Sequence, residues 1–464
     1  MKKFVKRIII GSITLLLVYI IATFVVLFAV QSPKERINFE KSGNVYQDRV
    51  ALVESGEDGA LIRLHLIEDA QSTIDISYYI FIDGEFTDLF LKAILDAADR
   101  GVNVRILLDG MPQIIHLKGK LKEVLQGFEI HPNIALRIYE PFNLLVPWAW
   151  NNRLHDKMIL VDGNFGLIGG RNIGDKYYLE EVGTSSFVKD RDVLIVKDNP
   201  LSVIDEMQHY FVAVWNSIYS KPLEKRLSEK KIEQRKVYIE NLHQRSTNVK
   251  KKHVDIDWHT YTRATQSIQF MHNPVGRLHQ DPWCLKALLE LASQSKDSIF
   301  VQSPYIIPSR KMKTEFNQYD IDLEKISVLT NSLASSPNPV AKSAYTNHRK
   351  KIVDSGATVH EYQGPDSIHS KTYIFDDAIS VIGTFNVDAR SSFLHTESLV
   401  IIESEEFTKD LKREIQQDMD NSLQVAPDYS YMEDSQVEEG NVSTLMHIGV
   451  AFLSTIVFFF DYLL

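Results

Sequence analysis

His155 and Lys157 stand two apart in "NNRLHDKMILVDGNFGLIGGRN", and Asp162 closes the apolar run behind them. Asn172 follows a second short apolar run. Such residues are ordinary at strand ends, and "VDGN" reads as a turn that closes a hairpin. The same groups could also do chemistry. An ammonium and a carboxamide donate hydrogen bonds to an anion, and an imidazole supplies a nucleophile or a proton near neutral pH.

A second copy decides between these readings. In "IHSKTYIFDDAISVIGTFN", His369, Lys371 and Asp376 repeat the spacing of His155, Lys157 and Asp162, and Gly383 and Asn386 repeat that of Gly169 and Asn172. At average residue usage such a five-residue pattern arises on the order of once per several million starting points. Residues i and i+2 of a strand share a face, so each His points the same way as its Lys. If the two copies pack about a pseudo-two-fold axis, two His, two Lys and two Asn converge on one cavity. Ammoniums and carboxamides (Lys157, Lys371, Asn172 and Asn386) would then surround a phosphodiester whose charge spreads in the transition state. One imidazole would attack phosphorus and the other protonate the leaving alkoxide, then take a proton from the incoming hydroxyl. The lysines supply the positive charge a metal would bring, so neither a metal nor a cofactor is expected. Asp162 and Asp376 are counted with the catalytic set, with an orienting role at the turn as the alternative.

The elements that must hold these residues also come twice. "TIDISYYIF" alternates as a strand, "FTDLFLKAILDAADRG" puts Phe86, Phe90, Ile94 and Ala97 on one helical face, and "VNVRILLD" and "IALRIYE" are further strands. In the second copy the strands are "DSIFVQSPYII", "ISVLTNS" and "ATVHEYQ", with "AKSAYTNHRKKIVDSG" as a helix. Strands alternating with helices predict an α/β chain with two mostly parallel sheets flanked by helices. The expected division is 1–30 as an anchor, 31–48 as a spacer, 49–220 as the first half and 221–261 as a charged connector. The second half follows over 262–425, then an acidic linker over 426–443 and a hydrophobic segment over 444–464. The connector reads as a solvated helix plus loop, or as a basic strip facing anionic lipid.

"HDKMILVD…GGRN" and "HSKTYIFD…GTFN" resemble the paired HxK(x)4D motifs of the phospholipase D superfamily, over roughly residues 50–420. "YYIFIDGE", "GGRNIGDKYY", "RDVLIV", "VLTNSLASS" and "NVDARSSFLHTE" are similar to bacterial cardiolipin synthases. The resemblance implies a duplicated phospholipase D-like fold, with His155 as nucleophile and His369 as acid. It further implies a downstream carboxylate orienting each histidine, at positions matched by Asp192 and Glu397. Thr384 stands where the family commonly has Ser, and Gly170 is a frequent variant. The implied activity is phosphatidyl transfer between phospholipids, phosphatidylglycerol and possibly phosphatidylethanolamine, with an accessory protein as a possible partner. Hydrolysis to phosphatidic acid is the alternative, and a nuclease of the same superfamily a more distant one.

Composition bears on these options. The 464 residues are 44% apolar and 24% charged, as in an ordinary globular protein of two or three domains. A net charge of −10 weighs against nucleic acid as the partner, since that binding rests on Lys and Arg. Cys284 is alone, which excludes an internal disulfide and a Cys-rich zinc site. "MKKFVKR" precedes the uncharged run Ile8–Val30, a helix of roughly 34 Å, long enough to cross a hydrocarbon core. With no small-x-small cleavage site behind it, the run reads as a retained anchor in the cell membrane. The basic residues before it place the catalytic region outside the cytoplasm. "TLMHIGVAFLSTIVFFF" at 444–460 reads as a short second span or an interfacial helix. "PFNLLVPWAWNNR" offers Trp148 and Trp150 as lipid-facing candidates, or as core. "HNPVGRLHQDPW" carries His272 and His279, which suit structure or the substrate rim better than a metal.

Overall fold

The computed structural model describes residues 2–29, 46–179, 187–223, 227–245, 256–432 and 436–463. The expected spacer therefore lies almost wholly outside the described residues, as do parts of the connector and the acidic linker.

In the first half the strands are β1 (Arg49–Val53), β2 (Thr73–Tyr78), β3 (Asn103–Asp109), β4 (Ile134–Tyr139), β5 (Lys157–Val161), β6 (Phe165–Gly169), β7 (Val188–Lys189), β8 (Asp192–Val196) and β9 (Ser220–Pro222), followed by β10 (Arg263–Ala264). The second half carries β11 (Ser267–His272), β12 (Ile299–Gln302), β13 (Ile326–Asn331), β14 (Thr358–Tyr362), β15 (Ser367–Ile368), β16 (Thr372–Phe375), β17 (Ile379–Gly383), β18 (Ser398–Glu403) and β19 (Ser422–Gln424). One sheet runs β10-β1-β8-β6-β5-β2-β3-β4-β9 and the other β11-β18-β17-β16-β12-β13-β14-β19. Apart from β10 the two orders correspond strand for strand, so the duplication expected from the motifs is present.

The sheets are mixed rather than mostly parallel. Within these two sheets only β2-β3-β4 and β12-β13-β14 run parallel, because helical crossovers join them; β7 and β15 form a separate parallel pair. From β5 and β16 onward the chain returns by hairpins, which impose antiparallel pairing: β5 with β6, β16 with β17, and each of those with β8 or β18.

Each sheet buries both faces. The helix Glu85–Asp99 sets Phe86, Phe90, Ile94 and Ala97 into a core with Ile159 and Val161. The opposite face sends Met158, Leu160, Ile168 and Val193 into a second core with Ile374, Ile382, Val400 and Ile402 of the other sheet. The helices Val203–Asn216 and Glu405–Met419 add Ile204, Met207, Phe407 and Leu411 to it. This shared core fixes the halves against one another.

The helix Lys2–Ala29 is the one described helix long and apolar enough to cross a membrane. It runs past the turn Pro147–Ala149, and the Tyr19 hydroxyl donates to the Leu145 carbonyl at 3.4 Å. The C-terminal helix Thr444–Val457 is about 21 Å long, short of a hydrocarbon core. It docks along the helix Pro339–Val353, with Asn347 Nδ2 donating to the Ser454 carbonyl at 2.8 Å and Val457 packed on Ile307, Ala341 and Ala344. Leu445, Ile448, Phe452 and Ile456 face outward. A 3-10 segment, Phe458–Leu463, continues the helix. In the connector, the helix Glu229–Arg245 is not wholly solvated: Leu242 is buried, and Arg235 pairs with Glu129 at 2.5 Å.

Candidate active site

His155 and Lys157 enter β5, and His369 and Lys371 enter β16. Alternation along each strand continues into these residues: Ile159 and Val161, like Tyr373 and Phe375, lie on the face of their His and Lys. The hairpins then bring Asn172 and Asn386 back beside them. Two reciprocal contacts close the site. Leu154 bridges Thr396, and the His155 amide donates to the Thr396 carbonyl at 3.1 Å. Ile368 pairs with Lys189, and the His369 amide donates to the Lys189 carbonyl at 2.7 Å. Each histidine is thus held by backbone of the opposite half, as a pseudo-two-fold axis requires.

Each imidazole is also oriented from across the axis. Nδ1 of His155 meets Glu397 Oε2 at 2.9 Å, a carboxylate of the other half rather than one that follows in its own. Nδ1 of His369 meets Asp190 Oδ2 at 2.5 Å, so Asp192 orients neither histidine. Register gives the reason. Gly169 pairs with Asp192 and Gly383 with Leu399, so the counterpart of Glu397 is Asp190 and that of Asp192 is Leu399. Asp192 instead sits between two buried guanidiniums, Arg63 at 2.9 Å and Arg171 at 3.0 Å. The two departures from the family pattern have places here. Thr384 donates to Glu397, whereas a Cβ at Gly170 would lie 2.1 Å from Asp190 Oδ1. The Asp190 side therefore needs glycine where the Glu397 side uses a hydroxyl.

Asp162 and Asp376 do not join the reacting groups. They end β5 and β16 at the far side, in left-handed conformations with φ 54° and 50° that Asp tolerates. Asp162 accepts from the backbone amides of Gln71, Ser72 and Thr73, and Asp376 from those of Lys296, Asp297 and Ser298. The alternative held for them, orientation, is what their contacts perform: each ties its hairpin to the start of the neighbouring strand. Trp148 and Trp150 are half-buried, and Trp150 donates to the Asn143 carbonyl and packs on Phe142. The exposed apolar surface of this loop belongs to Phe142, Leu144 and Leu145 instead.

Burial sets the protonation of the pair. It lowers the pKa of His155 well below the ordinary value, helped by the charges of Lys157 and Lys371. Burial and Lys371 bring His369 to about 4 despite Asp190. Lys157 falls to about 7 through burial and the nearby Lys371, and Lys371 falls to about 8 through burial. Burial alone would raise Asp190, but Lys371 and His369 outweigh it and hold the carboxyl below its usual range. Four basic groups crowd one dry space, and each would regain its proton beside an anion. Asn172 and Asn386 each leave one end of the carboxamide buried without a partner while the other bonds a hydroxyl, of Tyr177 at 3.0 Å and Tyr305 at 3.3 Å. Turning either amide over keeps its tyrosine bond and leaves its NH2 group free to donate.

Several residues beside the site escaped sequence reading. His395 lies 5.4 Å from the His155 ring and 3.4 Å from Glu397, and burial takes its pKa to about 3. His155, His395 and Glu397 could hold a cation by spacing, but Lys157 stands within the same cluster and favours an anion there. His272 and His279 belong to no such group among the described residues. Asp109 Oδ2 accepts from the Leu154 amide at 2.8 Å, and Asn331 Oδ1 from the Ile368 amide at 2.9 Å. These two β-strand ends set the backbone ahead of each histidine. Asp190 was within reach of the sequence, since "KDRD" contains both carboxylates. The connection to β8 is longer than the one to β18, however, so counting from one motif does not transfer to the other.

A duplicated α/β fold that presents one His-Lys-Asn set from each half to a common buried site defines an enzyme of the phospholipase D type. The family described as cardiolipin synthase, PLD-like domain, matches residues 64–215 and 288–419, one stretch in each half, and the chain belongs to it. It is 28% identical to cardiolipin synthase C of Escherichia coli (strain K12) over 425 residues, 81% of this chain and 86% of that one. To a cardiolipin synthase of Staphylococcus aureus (strain Mu50) it is 26% identical, over 75% of this chain and 62% of the other. The fold matches that of phosphatidylserine synthase from Haemophilus influenzae Rd KW20, with a TM-score of 0.62 over 89% of this chain and 95% of that one at 14% identity.

Proposed function

We propose that the protein is a membrane-anchored phosphatidyltransferase that makes cardiolipin from two phospholipids. The observation that carries this reading is the pair of imidazoles held by opposed carboxylates beside two lysines. With its Nδ1 proton committed to Glu397, His155 presents Nε2 to phosphorus. The new P–N bond forms as the donor's P–O bond breaks, and His369 gives its proton to the leaving alkoxide. The diester anion raises the pKa of His369 from the low value of the empty site and so allows it to carry that proton. In the second step the oxygen of an acceptor hydroxyl attacks phosphorus, the P–N bond breaks, and the hydroxyl proton passes to His369. Lys157, Lys371, Asn172 and Asn386 hold the phosphoryl oxygens through both steps. Phosphatidylglycerol is the acceptor, and phosphatidylglycerol or phosphatidylethanolamine the donor, in keeping with the cardiolipin synthases among the relatives.

The exposed loop of Phe142, Leu144 and Leu145 lies against the helix Lys2–Ala29, which would keep the mouth of the site at the bilayer and out of water. Purified protein given phosphatidylglycerol vesicles, with or without phosphatidylethanolamine, should make chiefly cardiolipin. His369→Ala should still form phosphoenzyme from a donor with a good leaving group, and His155→Ala none. Mainly phosphatidic acid at saturating lipid acceptor would make it a hydrolase, and an adduct on His369 alone would reverse the two roles.

A further inference from the structure

A cleft opens beside the sheet in each half. In the first half the cleft, of about 270 Å3, is walled by Glu140, Trp150, Arg153 and Arg277. Its arginines are matched: Arg153 with Asp109 at 3.2 Å, and Arg277 with Glu140 at 2.5 Å. Its counterpart in the second half, of about 370 Å3, is lined by Tyr305, Asn331, Lys342 and Arg349. Here Arg349 is neutralised by Glu361, which also accepts from the hydroxyls of Tyr345 and Tyr431. Lys342 is not matched. Its side chain is 8% exposed, yet its ammonium has neither a hydrogen-bond partner nor a counter-ion among the described residues. Lys342 lines the cleft. Burial lowers its pKa, as an unpaired cation requires. A buried ammonium left alone is costly unless something anionic meets it there.

The cleft adjoins the reacting groups on two sides. The hydroxyl of Tyr305 meets the Asn386 carboxamide, and Asn331 grips the residue before His369. Its outer wall is made by Gly440, Val442 and His447, at the start of the C-terminal helix. The exposed face of that helix is apolar, with Leu445 and Phe452 outermost. Among the described residues Glu439 is the one acidic residue on this outer wall, and it is exposed. The site thus has an unpaired cation inside, hydroxyls of Ser332, Ser336 and Thr346 around it, and an apolar edge outside.

We propose that this cleft is the acceptor subsite, in which Lys342 binds the phosphodiester anion of the second phospholipid while its headgroup hydroxyl reaches the phosphohistidine past Tyr305. The assignment rests on the transferase reading above and adds to it what selects a lipid over water. Water brings no anion to Lys342, whereas phosphatidylglycerol brings a diester one glycerol away from its reacting hydroxyl. In the first-half cleft the arginines are paired, and its one lysine, Lys221, is exposed to solvent rather than buried.

The test compares wild type, Lys342→Met and Lys342→Arg with three acceptors and one donor, phosphatidylethanolamine. The acceptors are phosphatidylglycerol in vesicles, glycerol 3-phosphate and glycerol. Lys342→Met should raise KM for phosphatidylglycerol by about tenfold, the worth of one charged hydrogen bond. Its products should shift toward phosphatidic acid, its KM for glycerol should move by less than about threefold, and Lys342→Arg should restore most of the loss. An unchanged KM for phosphatidylglycerol in an active transferase would overturn the subsite alone, and so would equal losses with glycerol. A rise for glycerol 3-phosphate without one for the lipid would assign the cleft to free phosphate and overturn the lipid assignment. Wild-type protein that makes phosphatidic acid with every acceptor would refute the transferase reading, and the subsite with it.

Discussion

Asp190, in the buried link between β7 and β8, and Asp192, the first residue of β8, stand two residues apart, and exchanging each for Asn separates orientation of the acid from support of the fold. Asp190 Oδ2 lies 2.5 Å from His369 Nδ1, and both Lys371 and His369 hold its carboxyl in the charged form. Asp190→Asn keeps the shape and removes the charge that supports a protonated imidazole. A hydrogen bond to a charged group contributes about 1.5–3 kcal/mol, which as a barrier change is roughly ten- to 150-fold in turnover. The loss should depend on the leaving group. A phosphatidyl ester of p-nitrophenol departs with little need for a proton, so with it the defect should shrink to less than about threefold. Asp192→Asn should do the reverse. It strips the carboxylate from between Arg63 and Arg171, a change of the kind that costs about 3–5 kcal/mol when a buried pair is broken. Its melting temperature should fall while activity per folded molecule stays close to wild type. Steady-state kinetics with both donors, alongside thermal melts, would distinguish the two. A leaving-group-dependent defect in Asp192→Asn with normal melting, and none in Asp190→Asn, would refute the register argument.

Inorganic phosphate should bind the empty site more weakly as pH rises from 6 to 9, because Lys157 and Lys371 lose their protons at about 7 and about 8. Calorimetry showing tighter binding at pH 9 would contradict this. Asp376→Ala removes a carboxylate that accepts three backbone amides and should cost about 1–3 kcal/mol of stability with kcat nearly intact; a large fall in kcat at unchanged stability would return Asp376 to the reacting groups. Leu144→Ser with Leu145→Ser should weaken vesicle binding and raise the phosphatidic acid fraction, since Leu145 is 77% exposed beside the helix Lys2–Ala29; an unaltered product ratio would remove this loop from the membrane-facing mouth. A protease added to intact spheroplasts should cut the catalytic halves if the basic N-terminus stays in the cytoplasm, and resistance until permeabilisation would invert that topology.

The paired spacing of His155, Lys157 and Asn172 with His369, Lys371 and Asn386 was enough to foresee two homologous halves that bring these residues together. That information is local: a strand's two-residue repeat and a hairpin's return fix which side chains come together within each half. The apolar face of Glu85–Asp99 was readable for the same reason. What lies across the axis was not. Glu397 reaches His155 and Asp190 reaches His369 only because Leu154 meets Thr396 and Ile368 meets Lys189, and no spacing within one motif encodes a pairing between distant loops. Sheet direction was misjudged because the alternation of strands and helices stops at β5 and β16, where hairpins take over. The place of Thr444–Val457 depended on a partner surface, the helix Pro339–Val353, which hydropathy does not contain. Lys342 carried no signal at all in the sequence. Its meaning comes from the counter-ions that Arg153, Arg277 and Arg349 have and it lacks, and charge balance inside a cleft exists only once the chain is folded.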